Sequence, residues 1–495
     1  MVAKFRRDIT PSKSRLGYDV SAFGGIDAFT EENSLSPNIG SYGYNIQLRG
    51  GVLQNCIGVN MPTYKVGERD ITLPSLVPLG DVLKKLHHYR GVGVEGSSDK
   101  MLAYSYDGKF YKCDLLSESD FTPLEGAPTA VGDVTFINYY TAGRDTALIY
   151  HSAGLTTFDN ETVTNYENLP YLNSVTMLYE RAFGISSAED KIYFSAPLNP
   201  TDFSVEGGGG EITIRDDLGK LIKIISFAGA IYIFKEYGIY RLSVVGAPTD
   251  YVLSKVVEVD DKIVAGTIAH TPSGVVLLVG KALKLFDGYN LKELERGLTA
   301  LIDSAEFSSG CYFDDNYFLS CKLKTEGEKV GDERDITVRC NNGVLVLNLV
   351  SGGMGVMRGA DIIGFYPVLT STIKEVFVVY GNGRSHRAGK LTNDGRLYGE
   401  PLEKLWRSAR TNFKDVYNFK VLKRIALDTR HDLSITVKQG TQEVTRTAYG
   451  YNREATVPFN TSGYDFCFEL RAEDDLYVRG VKLIFDFIRR YFPNG

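Results

Sequence analysis

The feature that most constrains the fold is a short pattern that recurs between about residue 100 and residue 395. In each copy a few apolar or aromatic residues alternate with polar ones, a turn containing Gly, Asn or Asp follows, and a second alternating run comes after the turn. Alternation with a period of two around a short turn is typical of a β-hairpin. The copies span residues 101–113, 147–159, 182–196, 230–243, 275–290, 310–323, 336–347 and 376–391.

The spacing of these copies predicts a particular all-β architecture. They recur roughly every 40 to 50 residues, as expected when each hairpin belongs to a blade of about four strands. We therefore predict a β-propeller of about five to seven blades. A large β-sandwich without a true repeat is the alternative, and the even spacing disfavours it. Composition agrees, because 51 Gly, 31 Tyr and 26 Phe suit tight turns and pleated faces.

The two ends of the chain differ from this region. Residues 1–60 are rich in Gly, Ser and Asn with only short apolar runs, and they predict an irregular, extended N-terminal arm that gains order by wrapping a surface. Residues 61–398 are assigned to the β-propeller, and alternating runs within residues 399–495 predict a C-terminal β-sandwich. Only residues 81–89 and 291–305 have a weak helical periodicity, so we expect helices to be nearly absent.

The chain carries no recognisable catalytic, nucleotide-binding or zinc-binding motif. We predict that it is not an enzyme, and we assign no catalytic, cofactor-binding or metal-binding residue. The clusters that come nearest to a site are a pair of adjacent histidines, a Gly-rich loop flanked by acids, and acidic turns without calcium-ligand spacing. They are His87–His88, residues 206–211, Asp314–Asp315–Asn316, Asp260–Asp261, Asp216–Asp217 and Asp107.

The charge of the chain restricts the partners that it can bind. The formal net charge is −6, so the whole chain lacks the basic balance of a general nucleic-acid binder. A basic set near Trp406 and Phe413 has two interpretations, a phosphate backbone or acids on a neighbouring subunit, and we favour the acids. This set is Lys404, Arg407, Arg410 and Lys414. A second basic set near the C-terminus is interpreted as a solvated rim, and it comprises Arg453, Arg471, Arg479, Arg489 and Arg490.

The six cysteines are scattered without metal-type spacing, which predicts free buried thiols in a protein made in a cytoplasm. They are Cys56, Cys113, Cys311, Cys321, Cys340 and Cys467. No apolar stretch follows the basic N-terminus, so we expect no signal peptide. No run approaches the roughly 18 apolar residues of a membrane span, and none is expected.

Three phrases of the sequence resemble tail proteins of bacteriophages. The first joins residues 23–27, Ser36–Pro37, Tyr44–Asn45, residues 50–53 and residues 57–59. The second runs from Glu180 to Ser195 and continues through Pro197, Asn199–Pro200 and Asp202–Phe203. The third is Trp406–Arg407–Ser408 with Asn412–Phe413. The chain resembles the packaged-DNA stabilisation proteins, or tail nozzle and accessory proteins, of short-tailed phages, and the phrases cover about a quarter of it.

This resemblance implies a structural virion protein of a phage tail, assembled in the host cytoplasm. It implies a homo-oligomeric ring, usually a hexamer, below the portal and adaptor and in contact with other tail proteins. Packaged DNA would be retained by the ring and leave through it without sequence-specific binding. Two alternatives stay open: a receptor- or glycan-binding tail protein that stacks Tyr139–Tyr140 on sugars, and a propeller glycosidase or lyase.

Overall fold

The computed structural model describes residues 15–74, 82–92, 98–141, 143–334, 341–381, 386–413, 418–451 and 454–488. Strands dominate these residues, and the α-helical segment among them is a single turn, α1 (Arg296–Thr299). Short 3-10 turns lie at Glu32–Ser34, Pro248–Asp250, Ala265–Thr267 and Gly331–Arg334. The structure therefore confirms the predicted all-β class.

The strands follow one another through the chain with short connections. The first eight are β1 (Arg15–Val20), β2 (Gly25–Ile26), β3 (Ile39–Tyr44), β4 (Ile46–Arg49), β5 (Val52–Asn55), β6 (Gly58–Asn60), β7 (Thr63–Val66) and β8 (Arg69–Thr72). The next twelve are β9 (Leu83–Tyr89), β10 (Lys100–Ser105), β11 (Phe110–Asp114), β12 (Thr122–Pro123), β13 (Thr135–Thr141), β14 (Arg144–His151), β15 (Gly154–Phe158), β16 (Val163–Tyr166), β17 (Ser174–Leu178), β18 (Arg181–Ser186), β19 (Lys191–Phe194) and β20 (Gly210–Thr213).

The remaining strands complete the order. Residues 221–392 contain β21 (Leu221–Phe227), β22 (Ala230–Lys235), β23 (Gly238–Ser243), β24 (Val252–Glu258), β25 (Ala269–Thr271), β26 (Gly274–Val279), β27 (Ala282–Phe286), β28 (Leu291–Glu293), β29 (Ile302–Phe313), β30 (Asn316–Leu323), β31 (Gly343–Asn348), β32 (Met354–Arg358), β33 (Asp361–Leu369), β34 (Lys374–Gly381) and β35 (His386–Thr392). The last are β36 (Arg396–Leu397), β37 (Glu400–Pro401), β38 (Lys404–Ser408), β39 (Phe419–Thr429), β40 (Leu433–Gln439), β41 (Gln442–Ala448), β42 (Glu454–Gly463), β43 (Cys467–Ala472) and β44 (Tyr477–Ile488).

Internal contacts divide the chain into two compact units. The propeller unit comprises Val59–Val344 and Gly359–Leu391, and the terminal unit comprises Met1–Gly58, Leu345–Arg358 and Thr392–Gly495. The domain boundaries at residues 60 and 398 stay a prediction.

The propeller unit is a series of antiparallel meanders. Blades 1 to 5 are four-stranded sheets formed by β9–β12, β13–β16, β17–β20, β21–β24 and β25–β28. Within the described part of this unit the hairpin β29–β30 begins blade 6, and β33, β34 and β35 form blade 7 with β6 beside β35. The first strands of successive blades contact each other through the backbone or through side chains such as His87 with Phe136 and Phe227 with His270. Strand β33 contacts β9, so the last blade meets the first. The predicted β-propeller is confirmed, with seven blades among the described residues.

The core lies between the blades, because alternate side chains of each middle strand face opposite neighbours. Strand β22 shows this most clearly: Ile231 and Ile233 pack in the cluster shared with blade 3, whereas Tyr232 and Phe234 pack in the cluster shared with blade 5. All six residues of β22 are buried. At about 1.5–3 kcal/mol for each large apolar side chain removed from water, these two-sided strands contribute heavily to stability.

The weak helical pattern at residues 81–89 was misleading, because Leu83–Tyr89 is strand β9. Every third residue of β9 is buried. This pattern imitates a helix because β9 is the innermost strand of its blade and is packed on both faces. Its pairing with β10 also contains a register shift. Residues 291–305 hold β28, the single helical turn α1 between blades 5 and 6, and the start of β29.

The terminal unit contains two sheets. One has the strand order β32–β4–β5–β44–β39–β42, with β1 also paired to β44, and the other has the order β2–β3–β38–β43–β40–β41. Aromatic side chains pack between them: Phe413 and Phe485 have ring centroids 4.8 Å apart, and Phe23 meets Trp406 edge-on at 5.0 Å. Strands β1–β5 come from the predicted arm, so residues 15–58 gain order by pairing within this unit.

Candidate functional site

Hydrogen bonds between neighbouring blades hold the first strands around the propeller axis. The Ser174 hydroxyl accepts from the Ile224 amide at 3.2 Å, and the Thr176 hydroxyl accepts from the Ser226 amide at 3.0 Å. These bonds join β17 of blade 3 to β21 of blade 4. Because buried backbone groups need partners, short polar side chains on these strands set the spacing of the blades.

His87 occupies a closed position on β9. Asn138 of the next blade donates from Nδ2 to the His88 carbonyl at 2.8 Å, which turns its Oδ1 toward His87 Nε2 at 3.0 Å. The His87 ring stacks on Phe136 with centroids 5.3 Å apart. Burial lowers the pKa of His87 to about 4, so the imidazole is neutral at physiological pH, with its proton on Nε2.

The adjacent His88 has a different partner, since its Nε2 lies 3.1 Å from Asp99 Oδ1. The structure thus does not bring the two imidazoles onto one ligand position. Among the described residues no group of three or more His, Cys, Asp or Glu side chains is arranged to hold a metal ion.

Charged side chains meet near the axis on the side where consecutive blades are connected. The Lys85 ammonium lies 2.8 Å from Asp133 and donates to the Val134 carbonyl, and Lys84 also lies beside Asp133. Lys223 is on β21 of blade 4. Burial lowers the pKa of Lys223, and the positive charge of Lys85 on blade 1 lowers it further.

An open pocket of about 710 Å³ lies beside Lys223 on the same side of the propeller unit. It is bounded by the first strands of blades 4, 6 and 7 and by the connections into and within blade 5. The lining residues are Ile222, Glu236, Lys262, Ile263, Val264, Ala265, Gly266, Gly280, Lys281, Asp303, Ser304, Ala305, Glu306, Phe307, Ser308 and Ile363. We call this the axial pocket.

Two strand irregularities shape the axial pocket. The pairing of β21 with β22 shifts between Leu221 and Lys223, so Ile222 is an extra residue that lines the pocket. On β29, Ser304 pairs with Lys322 and Ser309 with Ser320, so residues 305–308 face only one residue of β30. Bulges of this kind redirect side chains. Here the bulge leaves Phe307 56% exposed while Ser308 is only 5% exposed.

The polar groups of the axial pocket fit binding better than bond-making chemistry. The buried Ser308 hydroxyl has no hydrogen-bond partner among the described residues, so no neighbouring base activates it as a nucleophile. At the rim, Lys262 pairs with Glu236 at 2.7 Å and Lys322 with Asp303 at 3.6 Å. An apolar cavity with few polar groups is the usual form of a ligand-binding site. No sequence pattern indicates this pocket, because both bulges depend on strand register.

Members of three acidic clusters that were singled out in the sequence pair with lysines. Asp216 accepts from buried Lys235 at 2.6 Å, and Asp107 pairs with Lys109 at 2.7 Å. Asp314 lies in the β29–β30 turn and pairs with Lys374 at 2.6 Å. Asp107 and Asp314 lie in the hairpin turns β10–β11 and β29–β30, whereas Asp216 lies in the connection between blades 3 and 4.

The Gly-rich loop at residues 206–211 is tied to its own blade. The Gly209 amide donates to the Ser204 carbonyl at 2.7 Å, and the Arg181 guanidinium donates to the Gly208 carbonyl. The loop therefore uses its backbone groups internally, and Val205 beside it is exposed.

Two cations of the basic set near Trp406 pair with acids of the same unit. Arg407 donates to Glu469 at 2.6 Å, and Arg410 lies 3.3 Å from Asp465. Lys404 is buried and donates to the Gly395 carbonyl. The β38–β43 pairing brings Glu469 opposite Arg407. The interpretation of this basic set as partners for acids on a neighbouring subunit stays a prediction. Lys414, Arg453, Arg489 and Arg490 lie outside the described residues.

Five of the predicted free thiols are buried and unpaired with one another, namely Cys56, Cys113, Cys311, Cys321 and Cys467. Burial raises the pKa of each of these thiols. Cys340 lies outside the described residues. Of the two tyrosines proposed to stack on sugars, Tyr139 is buried and Tyr140 is 57% exposed.

Comparisons with known proteins leave the function open. No family model matches the chain, and no curated protein matches it. Among solved structures, crystals of BBS1N in complex with ARL6DN, soaked with lead or with mercury, align with TM-scores of 0.43 and 0.42 and 8% identity. Each alignment covers 68% of this chain and 98% of the other. The propeller assignment rests on strand order, not on this distant likeness. Among the described residues, no helix has the length and apolarity needed to cross a membrane.

Proposed function

We propose that this chain is a structural, non-enzymatic protein of a bacteriophage tail, part of a ring or nozzle below the portal that retains packaged DNA and serves as its exit conduit. The observation that supports the structural part is the closed ring of blades: β33 of the last blade contacts β9 of the first. A closed, rigid propeller unit of this kind is suited to form part of the wall of a tube.

In this proposal the passage for DNA lies between copies of the chain. Each copy contacts the next through two different surfaces, and the rotation between neighbours closes the ring and sets the copy number, which the sequence resemblance puts at six. The partners are the portal or adaptor, other tail proteins and DNA that passes without sequence-specific contact. The net charge of −6 favours passage of DNA without tight binding, since contacts with phosphate groups require a basic surface.

A non-catalytic role is supported by the state of the candidate acids. Asp216, Asp107 and Asp314 each pair with a lysine. For Asp216 and Asp107, burial raises the pKa, but hydrogen bonds that include one from lysine outweigh it and the pKa is lowered. A carboxyl group with a lowered pKa is a poor general acid. Assembly would take place in the host cytoplasm and the mature protein would reside in the virion tail.

Negative-stain electron microscopy of the purified protein, with its mass measured in solution, tests this proposal. Rings with a central hole wide enough for a DNA duplex are the expected result. Particles that remain single copies at every concentration, alone and in lysates of infected cells, would contradict the ring.

A second candidate function, glycan or receptor binding, is favoured by exposed tyrosines in the turns opposite the axial pocket. Tyr140, Tyr179 and Tyr289 are all exposed. Tyr179 and Tyr289 lie in turns of blades 3 and 5, and Tyr140 lies near the end of β13 in blade 2. Aromatic faces of this kind stack on sugar rings. Binding on a glycan array that is lost in Tyr140→Ala or Tyr179→Ala would favour this function over a purely structural one.

A further inference from the structure

We propose that the axial pocket recognises an extended peptide of a partner protein, which inserts one large apolar side chain flanked by a basic and an acidic residue. The proposal goes beyond the ring proposed above and does not depend on it, because the pocket lies within one propeller unit. Its basis is the combination of pocket size, an unsatisfied hydroxyl and the charges at the rim.

The size and walls of the pocket suit an apolar anchor. Its volume of about 710 Å³ is within the range of about 300–1,000 Å³ typical of ligand pockets. Ile222, Val264 and Ile363 contribute apolar wall, and the exposed ring of Phe307 stands beside them. An inserted Phe or Leu side chain would cover this apolar surface and remove it from water.

Ser308 supplies an independent sign of a missing partner. Its hydroxyl is buried without a hydrogen bond among the described residues, although leaving a buried hydroxyl without a hydrogen bond is energetically unfavourable. The residue lines the pocket, so the backbone carbonyl or amide of an inserted peptide can complete the missing bond.

The rim charges distinguish a peptide from a simple apolar molecule. Two acids of the pocket are neutralised by lysines, as described above. Glu306 and Lys281 have no ion pair among the described residues, and they belong to different blades, since Glu306 is on β29 and Lys281 is in the turn before β27. A basic residue on one side of the anchor and an acidic residue on the other would complement them.

Fluorescence anisotropy with labelled pentapeptides tests the proposal on the full chain. The probes are Gly-Lys-Phe-Glu-Gly and Gly-Glu-Phe-Lys-Gly, which present the charges in both orders, and Gly-Lys-Ser-Glu-Gly, which lacks the anchor. We expect saturable binding of at least one Phe peptide and binding at least about tenfold weaker for the Ser peptide. Failure of both Phe peptides to saturate at about 1 mM would overturn the proposal.

Variants locate the binding. Ala305→Trp should abolish peptide binding by filling the pocket. Glu306→Lys makes this side of the rim basic, so the variant should bind Gly-Glu-Phe-Glu-Gly more tightly than the Lys-containing peptides. Ser308→Ala should weaken binding about tenfold while leaving the thermal midpoint unchanged or raised, because the lost hydroxyl has no partner in the free protein. Ser254→Ala, which removes an exposed hydroxyl outside the pocket, is the matched control and should bind as the natural chain does.

Two results would refute the assignment. Unchanged affinity in a folded Ala305→Trp protein would place the peptide elsewhere. Equal affinity for acetyl-phenylalanine amide and the best pentapeptide would mean that the flanking charges contribute nothing and that the pocket takes a small apolar molecule instead.

Discussion

Acidification from about pH 7.5 to about pH 5 should weaken the propeller unit through His87. The folded protein holds this imidazole neutral, with a pKa of about 4, whereas an unfolded histidine has a pKa of about 6.5. The unfolded state therefore binds more protons over this interval, so the stability is intact above the unfolded pKa and falls as the pH drops toward the folded one.

The magnitude follows from the two pKa values. At about pH 5 the unfolded histidine is almost fully protonated and the folded one is almost fully neutral, which gives a loss of about 2 kcal/mol relative to about pH 7.5. The His87→Gln variant removes this dependence while keeping a side-chain amide that can donate to Asn138. Its unfolding free energy should fall by about 2 kcal/mol less than that of the natural chain over the same interval.

Urea unfolding followed by far-UV circular dichroism at the two pH values measures the difference. Trp406, the single tryptophan, lies in the terminal unit, so its fluorescence records that unit separately. His270→Gln is the matched control, because His270 is on the first strand of blade 5 and is exposed; it should behave as the natural chain does. A folded His87→Gln protein that loses as much stability as the natural chain would refute the reasoning.

Three further predictions concern buried charges and thiols. Asp216→Asn should destabilise the propeller unit by about 2–4 kcal/mol, because buried Lys235 loses its counter-charge. Calorimetry measures the thermal midpoint, with Asp217→Asn as the control. Equal midpoints for Asp216→Asn and the natural chain would contradict the prediction. Glu469→Gln should lower the free energy of unfolding by about 3 kcal/mol, since the buried carboxylate accepts hydrogen bonds from two cations. Trp406 fluorescence should report this as a lower urea midpoint. An unchanged midpoint would show that these ion pairs contribute little to stability. The five buried thiols should react with Ellman's reagent only after unfolding, because burial raises their pKa values. Fast reaction of two or more thiols in the native protein would contradict this prediction.

The alternating pattern was sufficient to predict the blades because it is a local property. Six of the eight predicted hairpins coincide with the second and third strands of a blade, such as β10–β11 and β22–β23. These middle strands are buried on both faces, so they carry the densest apolar sequence. The copy at residues 310–323 instead pairs a first strand with a second, β29 with β30, and the copy at 336–347 lies partly outside the described residues.

The N-terminal segment shows what a local pattern misses. Gly43 pairs with Trp406 across β3 and β38, and Tyr18 pairs with Leu483 across β1 and β44. Partners so distant in sequence leave no periodic signal, and the short Gly-rich strands predict irregular structure when they are considered alone. Deleting residues 1–60 would remove six described strands. We therefore expect the terminal unit of the shortened chain not to fold.

Sequence by itself determined the all-β class, the propeller, the range of blade number and the expectation of free thiols, because alternation and residue type act over a few neighbouring positions. Tertiary structure alone decided the contact of β33 with β9, the neutral His87 held by Asn138, and the axial pocket with its unsatisfied Ser308. Each of these depends on the register of strands in different blades, and a shift of one residue in register turns a side chain to the opposite face of its sheet.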